Sequence, residues 1–250
     1  MAKSCLEIYP DFDALFIAAA ERIAAILEAG LQDKESMTLV LTGGKTPKPV
    51  YEILSLPQYN NRIDWTRIHF FWGDERCVSP DHPESNFGMA WKALISKIHI
   101  PPAHIHRILG ELDEASRAAS LYEAEIRNTL PGMGVPSLDL VLLGMGEDGH
   151  TASLFPATRW DEERLVVANR MPQSGASRVS MTPCLLNEAQ AIIFLTAGSN
   201  KAKALASVLE DPDSALPAVR IRPAHGSLTW MVDRSAASLL TQDTKSDIRK

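Results

Sequence analysis

Cysteine is scarce in this sequence: Cys5, Cys77 and Cys184 are the only three among 250 residues. An odd count without a Cys-x-x-Cys pair argues against a disulfide framework and against a structural zinc site, and it points to the reducing cytoplasmic compartment. Long apolar runs are missing too, so no stretch of about 18 apolar residues is present to span a membrane. Residues 1–10 carry neither a basic segment nor an apolar core followed by a small-residue cleavage site, and secretion has no support. Positive charge is in deficit. Against 31 Asp and Glu stand 25 Lys and Arg, a net charge of −6. Such a chain has no general attraction for nucleic acid or anionic lipid, and no nucleic acid, membrane or obligate protein partner is expected. An anionic ligand would have to be held by cations gathered locally.

What is present is a regular alternation of strand-like and helix-like segments, with no internal repeat or low-complexity linker. That alternation predicts an α/β fold with a mostly parallel sheet flanked by helices. A chain of this length accommodates one large domain or two small ones and buries roughly 70–75% of its unfolded surface; one domain over residues 1–250 is expected. Residues 11–29 predict a helix capped by Asp11 or Asp13 and stopped by Gly30. Buried-type strands are expected at 37–41, 67–72, 138–143, 191–196 and 227–232, with shorter ones at 165–168 and 178–181. Further helices are expected at 47–54, at 86–95 entered from Ser85, at 113–130 closed by Pro131 and Gly132, from Gly198 to about Leu209, and at 233–240. Residues 241–250 predict a frayed polar tail.

The stretch that organises these elements is the apolar run Leu138 to Leu143, broken only by Asp139, followed by the glycine-rich turn Gly144 to His150. Open α/β sheets place ligands at the carboxyl ends of their strands, and Asp148 and His150 stand there. An imidazole with an ordinary pKa near 6.5 can take or give a proton at neutral pH. The same residues also fit a plain strand-to-helix turn with a solvated histidine. Thr42-Gly-Gly-Lys-Thr-Pro47 repeats the strand, glycine turn and helix start, with free N–H groups and a helix dipole suited to an anion, although the P-loop pattern is absent. Gly73-Asp-Glu-Arg-Cys77 puts three charges directly after an apolar strand, which fits a site mouth or a solvated loop. Arg178 opens a strand, and Lys201 lies in a first helical turn where the dipole disfavours a cation unless an anion offsets it. Arg220 and Arg222 add two more cations. His104 and His106 flank Ile105 without a third ligand at usable spacing, so surface histidines are expected rather than a metal site. No Gly-x-Ser-x-Gly elbow is present, and Ser153 follows His150 too closely for a usual triad.

Four motifs stand in fixed order: Thr42-Gly-Gly-Lys-Thr-Pro47, Phe71-Trp-Gly-Asp-Glu-Arg-Cys-Val-Ser-Pro-Asp-His-Pro-Glu-Ser-Asn86, Gly144-Met-Gly-Glu-Asp-Gly-His-Thr-Ala-Ser-Leu-Phe-Pro156 and Arg178-Val-Ser-Met-Thr182. In that order, over residues 10–240, the chain resembles the 6-phosphogluconolactonases of the pentose phosphate pathway, within the sugar-phosphate isomerase/deaminase superfamily. The resemblance implies a modified Rossmann-like α/β sandwich, a phosphorylated sugar lactone as substrate and no cofactor or metal. It implies His150 as the base that activates water, with Asp148 and Asp74 shaping the site. Its phosphate and sugar contacts fall on Gly43, Gly44, Thr46, Arg76, Arg178 and Lys201. Lys45 stands where many relatives carry serine, which leaves open whether side chain or backbone binds there. The related glucosamine-6-phosphate deaminases continue the Asp-Gly-His turn differently; here it continues Thr-Ala-Ser-Leu-Phe-Pro156, on the lactonase side. A non-catalytic sugar-phosphate-binding module is the alternative from another class. Such a regulator usually carries a DNA-binding domain, and no basic segment is left over for one.

Overall fold

The computed structural model describes residues 3–246 other than 131, 133 and 157. The first half of the chain runs β1 (Lys3–Tyr9), α1 (Phe12–Asp33), β2 (Met37–Leu41), α2 (Pro47–Leu54), α3 (Pro57–Asn60), β3 (Ile68–Trp72), β4 (Asp74–Arg76), α4 (Asn86–Ala93), β5 (Ile105–His106) and α5 (Ala115–Thr129). The second half runs β6 (Leu138–Gly144), β7 (Val166–Arg170), β8 (Ser177–Met181), α6 (Pro183–Leu186), β9 (Ala189–Thr196), α7 (Ala202–Glu210), β10 (Ser227–Asp233) and α8 (Gln242–Ser246).

Seven strands form one parallel sheet in the order β1-β10-β9-β6-β2-β3-β5, flanked by helices, which is the expected architecture. Beside it lies a small antiparallel sheet, β4-β8-β7, that the sequence pattern did not separate out. From β2 the chain steps outward through β3 to β5, returns to lay β6 against the other side of β2, then continues to β9 and β10. Strand order therefore reverses between β2 and β6, and a crevice opens at such a point because the connections leave in opposite directions. The two strands pair at Leu39–Leu140 and Val40–Val141 and then part, whereas β6 stays paired with β9 as far as Gly144–Leu195.

Burial explains the composition of the central strands. All five residues of β2 are buried, and β6 is buried except at Asp139 and Gly144. Asp139 is the expected exception with a partner: its carboxylate accepts from Thr38 N at 2.7 Å and Thr38 Oγ1 at 3.1 Å and pairs with Lys34. In the helix α1, Leu15, Ala19, Ile23, Leu27 and Leu31 form the buried stripe, and Asp11 caps the start by accepting from Ala14 N at 2.9 Å.

Three expectations need correction, and one strand was not expected. Gly30 does not stop α1, which continues to Asp33; a Cβ there would lie 2.3 Å from Met37 Sδ, so glycine is present to let β2 pack against the helix. Residues 233–240 do not form a helix, because Asp233 ends β10 and its carboxylate accepts from Gly198 N, Ser235 N and Ala236 N, leaving only a short 3-10 turn at Ala236–Leu239. Strand β1 went unanticipated. His106 is not a surface histidine. It is buried, stacked 4.5 Å from the Phe71 ring, and bonded through Nδ1 to Glu125 at 2.7 Å and through Nε2 to His69 Nδ1 at 2.9 Å. A carboxylate only accepts, so His106 donates through Nδ1 to Glu125. The expected helix closure at Pro131 and the end of the expected tail, residues 247–250, lie outside the described residues.

Two outcomes follow. Gly30→Ala gains helix propensity of about 1 kcal/mol but overpacks Met37, and a net loss of about 1 kcal/mol in urea unfolding is expected. Burial, with the neighbouring His104 and His106, pushes His69 from its ordinary 6.5 down to about 4. Between those values the unfolded chain takes up a proton that the folded chain refuses, so stability falls as pH drops from 6.5 to 4. Thermal melts across that range should show the fall, and His69→Gln should flatten it.

Candidate active site

Backbone hydrogen bonds close the turn after β6, Gly146 N to His150 O at 2.8 Å and Gly149 N to Gly146 O at 3.1 Å. Gly149 has φ +76°, a conformation that a side chain disfavours. At Gly146 the requirement is space: a Cβ would lie 2.1 Å from His150 Nδ1 and 2.6 Å from Asp148 Oδ1. Asp148 Oδ1 accepts from His150 Nδ1 at 2.5 Å and from His150 N at 3.2 Å. An ionised carboxylate on Nδ1 places the imidazole proton there and leaves the Nε2 lone pair free. Partial burial acts to raise the Asp148 carboxyl, but the adjacent imidazole and backbone N–H of His150 outweigh it and hold it below the ordinary carboxylate range. The Phe155 ring, 5.0 Å from the imidazole, walls one side. Ala152 has φ 47°, a left-handed conformation costing on the order of 1 kcal/mol in a residue with a Cβ.

Strand β4 pairs antiparallel with β8, matching Asp74 to Ser180, Glu75 to Val179 and Arg76 to Arg178. Alternation puts Asp74 and Arg76 on one face and turns Glu75 to the other. Glu75 is buried and accepts from Arg76 N, Asn86 N, Phe87 N and Ser85 Oγ at 2.7–3.0 Å, which ties the loop at 77–85 back onto the strand. Burial still pushes its carboxyl up. Two arginines directly opposite each other repel. Arg178, 8% exposed, is drawn below its ordinary pKa first by burial and then by Arg76. Among the described residues no carboxylate oxygen lies within 4.0 Å of a side-chain nitrogen of Arg76, Arg178 or Lys201. Arg76 donates instead to Glu84 O, and Arg178 Nη1 to Ser177 O at 3.3 Å. Lys201 stands in a 3-10 turn just ahead of α7, its ammonium pulled below its ordinary pKa by burial against the opposing pull of Glu147 and Asp148.

The turn after β2 is stitched to α2 by the buried Tyr51, whose hydroxyl accepts from Thr42 N at 3.0 Å and donates to Thr42 O at 2.9 Å. Thr46 makes no side-chain cap, so no capping side chain covers the start of α2. A Cβ on Gly43 would lie 1.7 Å from Asn86 Oδ1, so this turn and α4 touch.

These pieces meet in two adjoining cavities of about 440 and 690 Å³ that share Asp74, Arg76, Gly146, Glu147, His150, Ala152 and Lys201. Asp148 and Arg178 line the smaller; Gly43, Gly44, Lys45 and Thr46 line the larger. All ten candidate residues thus border one cleft at the β2/β6 parting. Arg220 and Arg222 do not: Arg220 pairs with Glu162 at 2.9 Å over the Trp160 ring, and Arg222 Nε donates to Val219 O. Two neighbours of the site stand outside the candidate set: Asn86 bonds the Asp74 carboxylate, and Ser153 Oγ donates to it at 2.7 Å. Both lie inside the recognised motifs, which was the available signal. Among the described residues, no group of three or more His, Cys, Asp and Glu side chains is arranged to hold a metal ion.

A family model for glucosamine-6-phosphate isomerases/6-phosphogluconolactonase matches residues 10–230. A 6-phosphogluconolactonase of Nostoc sp. is 39% identical over 248 residues, covering 96% of this chain and 99% of that one. The crystal structure of a 6-phosphogluconolactonase from Thermotoga maritima matches with a TM-score of 0.82 and 33% identity, over 92% of this chain and 100% of that one. The structure of 6-phosphogluconolactonase from Trypanosoma brucei matches with a TM-score of 0.87 and 26% identity, over 96% and 100%. The chain belongs to the glucosamine-6-phosphate isomerase/6-phosphogluconolactonase family.

Proposed function

We propose that this protein hydrolyses 6-phospho-D-glucono-1,5-lactone to 6-phospho-D-gluconate, with His150 as the base that activates water. The observation that carries the reading is an imidazole oriented by Asp148 in the same cleft as three cations without carboxylate partners. A lactone is an activated ester, so neither a covalent nucleophile nor a metal is required. Water attacks C1 while its proton passes to His150 Nε2, the nitrogen that Asp148 leaves free. The tetrahedral oxyanion then collapses, the bond from C1 to the ring oxygen breaks, and the proton on Nε2 passes to that oxygen as it becomes a hydroxyl. Positioned general-base help of this kind is worth typically about 10²–10⁴-fold. Arg76, Arg178 and Lys201 supply the positive charge that the chain as a whole lacks, and an arginine fork matches two phosphate oxygens. The turn at 43–46 adds backbone N–H groups.

The deciding experiment is stopped-flow proton release from freshly made lactone, run beside ammonia release from glucosamine 6-phosphate. Proton release above the spontaneous rate is expected, without ammonia; binding without turnover would favour the non-catalytic module. His150→Ala should lower kcat by about 10²–10⁴-fold with the thermal melt unchanged, and near-normal turnover would remove His150 from the mechanism. Arg178→Ala should raise KM by about tenfold or more, the worth of one charged hydrogen bond, with a smaller effect on kcat; an unchanged KM would make that residue structural.

A further inference from the structure

A line of buried polar side chains runs from the cleft into the small sheet, and hydrolysis as described gives it no task. Asp74 is 7% exposed, and Ser153 and Asn86 are each 2% exposed. Ser153 Oγ donates to Asp74 Oδ2 at 2.7 Å, and Asn86 Nδ2 donates to Asp74 Oδ1 at 3.2 Å and to Asp74 O at 2.9 Å. Ser153 is itself held from the other side, its N–H by Ser180 Oγ on β8 at 3.1 Å and its carbonyl by Asn169 Nδ2 on β7 at 2.8 Å. Neutral donors thus occupy both oxygens of a buried carboxylate.

That arrangement is unusual in its surroundings. Asp74 shares a face of β4 with Arg76, and Arg178 stands opposite Arg76 on β8. Asp74 is close enough to Arg178 for its charge to act on the guanidinium. A carboxylate beside two guanidinium groups gains most from a direct, bidentate ion pair. Here no such pair forms within 4.0 Å; Asp74 Oδ1 and Oδ2 accept from Asn86 and Ser153 instead.

We propose that Ser153 and Asn86 are positioning residues that hold Asp74 away from the Arg76–Arg178 pair, so that both guanidinium groups stay available to the phosphate of the substrate. The inference rests on the reading of those arginines as phosphate holders given above. With the Ser153 hydroxyl removed, Asp74 Oδ2 turns to an arginine and the phosphate must compete with an internal carboxylate. The loss appears as weaker phosphate binding rather than slower chemistry.

Inorganic phosphate, titrated calorimetrically into the intact protein, reads this without any need for turnover. Ser153→Ala should weaken phosphate binding about tenfold and raise the lactone KM in parallel, with kcat within about threefold of the parent. Ser153→Cys, nearly the same size with a weaker donor, should show a smaller loss of the same sign, and it serves if the alanine variant does not fold. The discriminating measurement is made on an Asp74→Asn background, where the neutral amide forms no ion pair with an arginine. There Ser153→Ala should change phosphate affinity by less than about twofold. Phosphate affinity unaltered by both Ser153 changes, or a tenfold loss that persists beside Asp74→Asn, overturns the proposal. If the parent binds phosphate but does not hydrolyse the lactone, the activity reading fails while the positioning test still stands.

Discussion

Beyond Val40 and Val141 the strands β2 and β6 exchange no further pairs, and chain order reverses between them. Each strand then ends in its own glycine turn, one delivering Thr42 to Thr46 and the other Asp148 and His150. Had the two strands stayed in register to their carboxyl ends, no space would separate those turns. The crevice at this parting is what permits an imidazole, a helix start and three cations from five different segments to border one volume. All ten candidate residues border that gap.

The gap is kept open by packing and by neutral hydrogen bonds. Tyr51 pins the first turn to α2, and Gly43 lets Asn86 of α4 approach it from the side. Gly146 leaves room for the Asp148–His150 pair above it. The buried carboxylates Asp74 and Glu75 are satisfied by N–H and O–H donors rather than by nearby cations. Arg76 and Arg178 are thereby left with backbone carbonyls and no carboxylate as partners, and the arrangement has a cost. Two arginines face each other across β4 and β8, and Ala152 holds a left-handed conformation beside the imidazole. Sites that bind and react commonly retain such unfavourable features, offset by a well-packed core. Here that core is the largely buried strands β2, β6 and β9 with the buried stripe of helix α1.

The composition of the chain and the local organisation of the site fit together. A net charge of −6 gives the protein no long-range attraction for anions, so any pull on an anionic ligand has to come from cations that the fold gathers locally. The pairing of β4 with β8 does much of that work, since it joins Arg76 to Arg178 across about a hundred residues of chain.

Periodicity and turn chemistry by themselves determined the strands at 37–41 and 138–143, the helix at 47–54, the cap at Ser85 and the glycine turns, because each is set by residues within a few positions of one another. The order of the motifs determined the family. Tertiary structure alone decided what depends on distant partners. The strand β1 has no strong pattern of its own and exists by pairing with β10, more than two hundred residues away. Gly30 reads as a helix stop until Met37 is seen against it, and His106 reads as exposed until His69, Phe71 and Glu125 surround it. Ser153 on Asp74 spans 79 residues, and no local rule encodes that contact, since its energy comes from burial that only the folded chain creates.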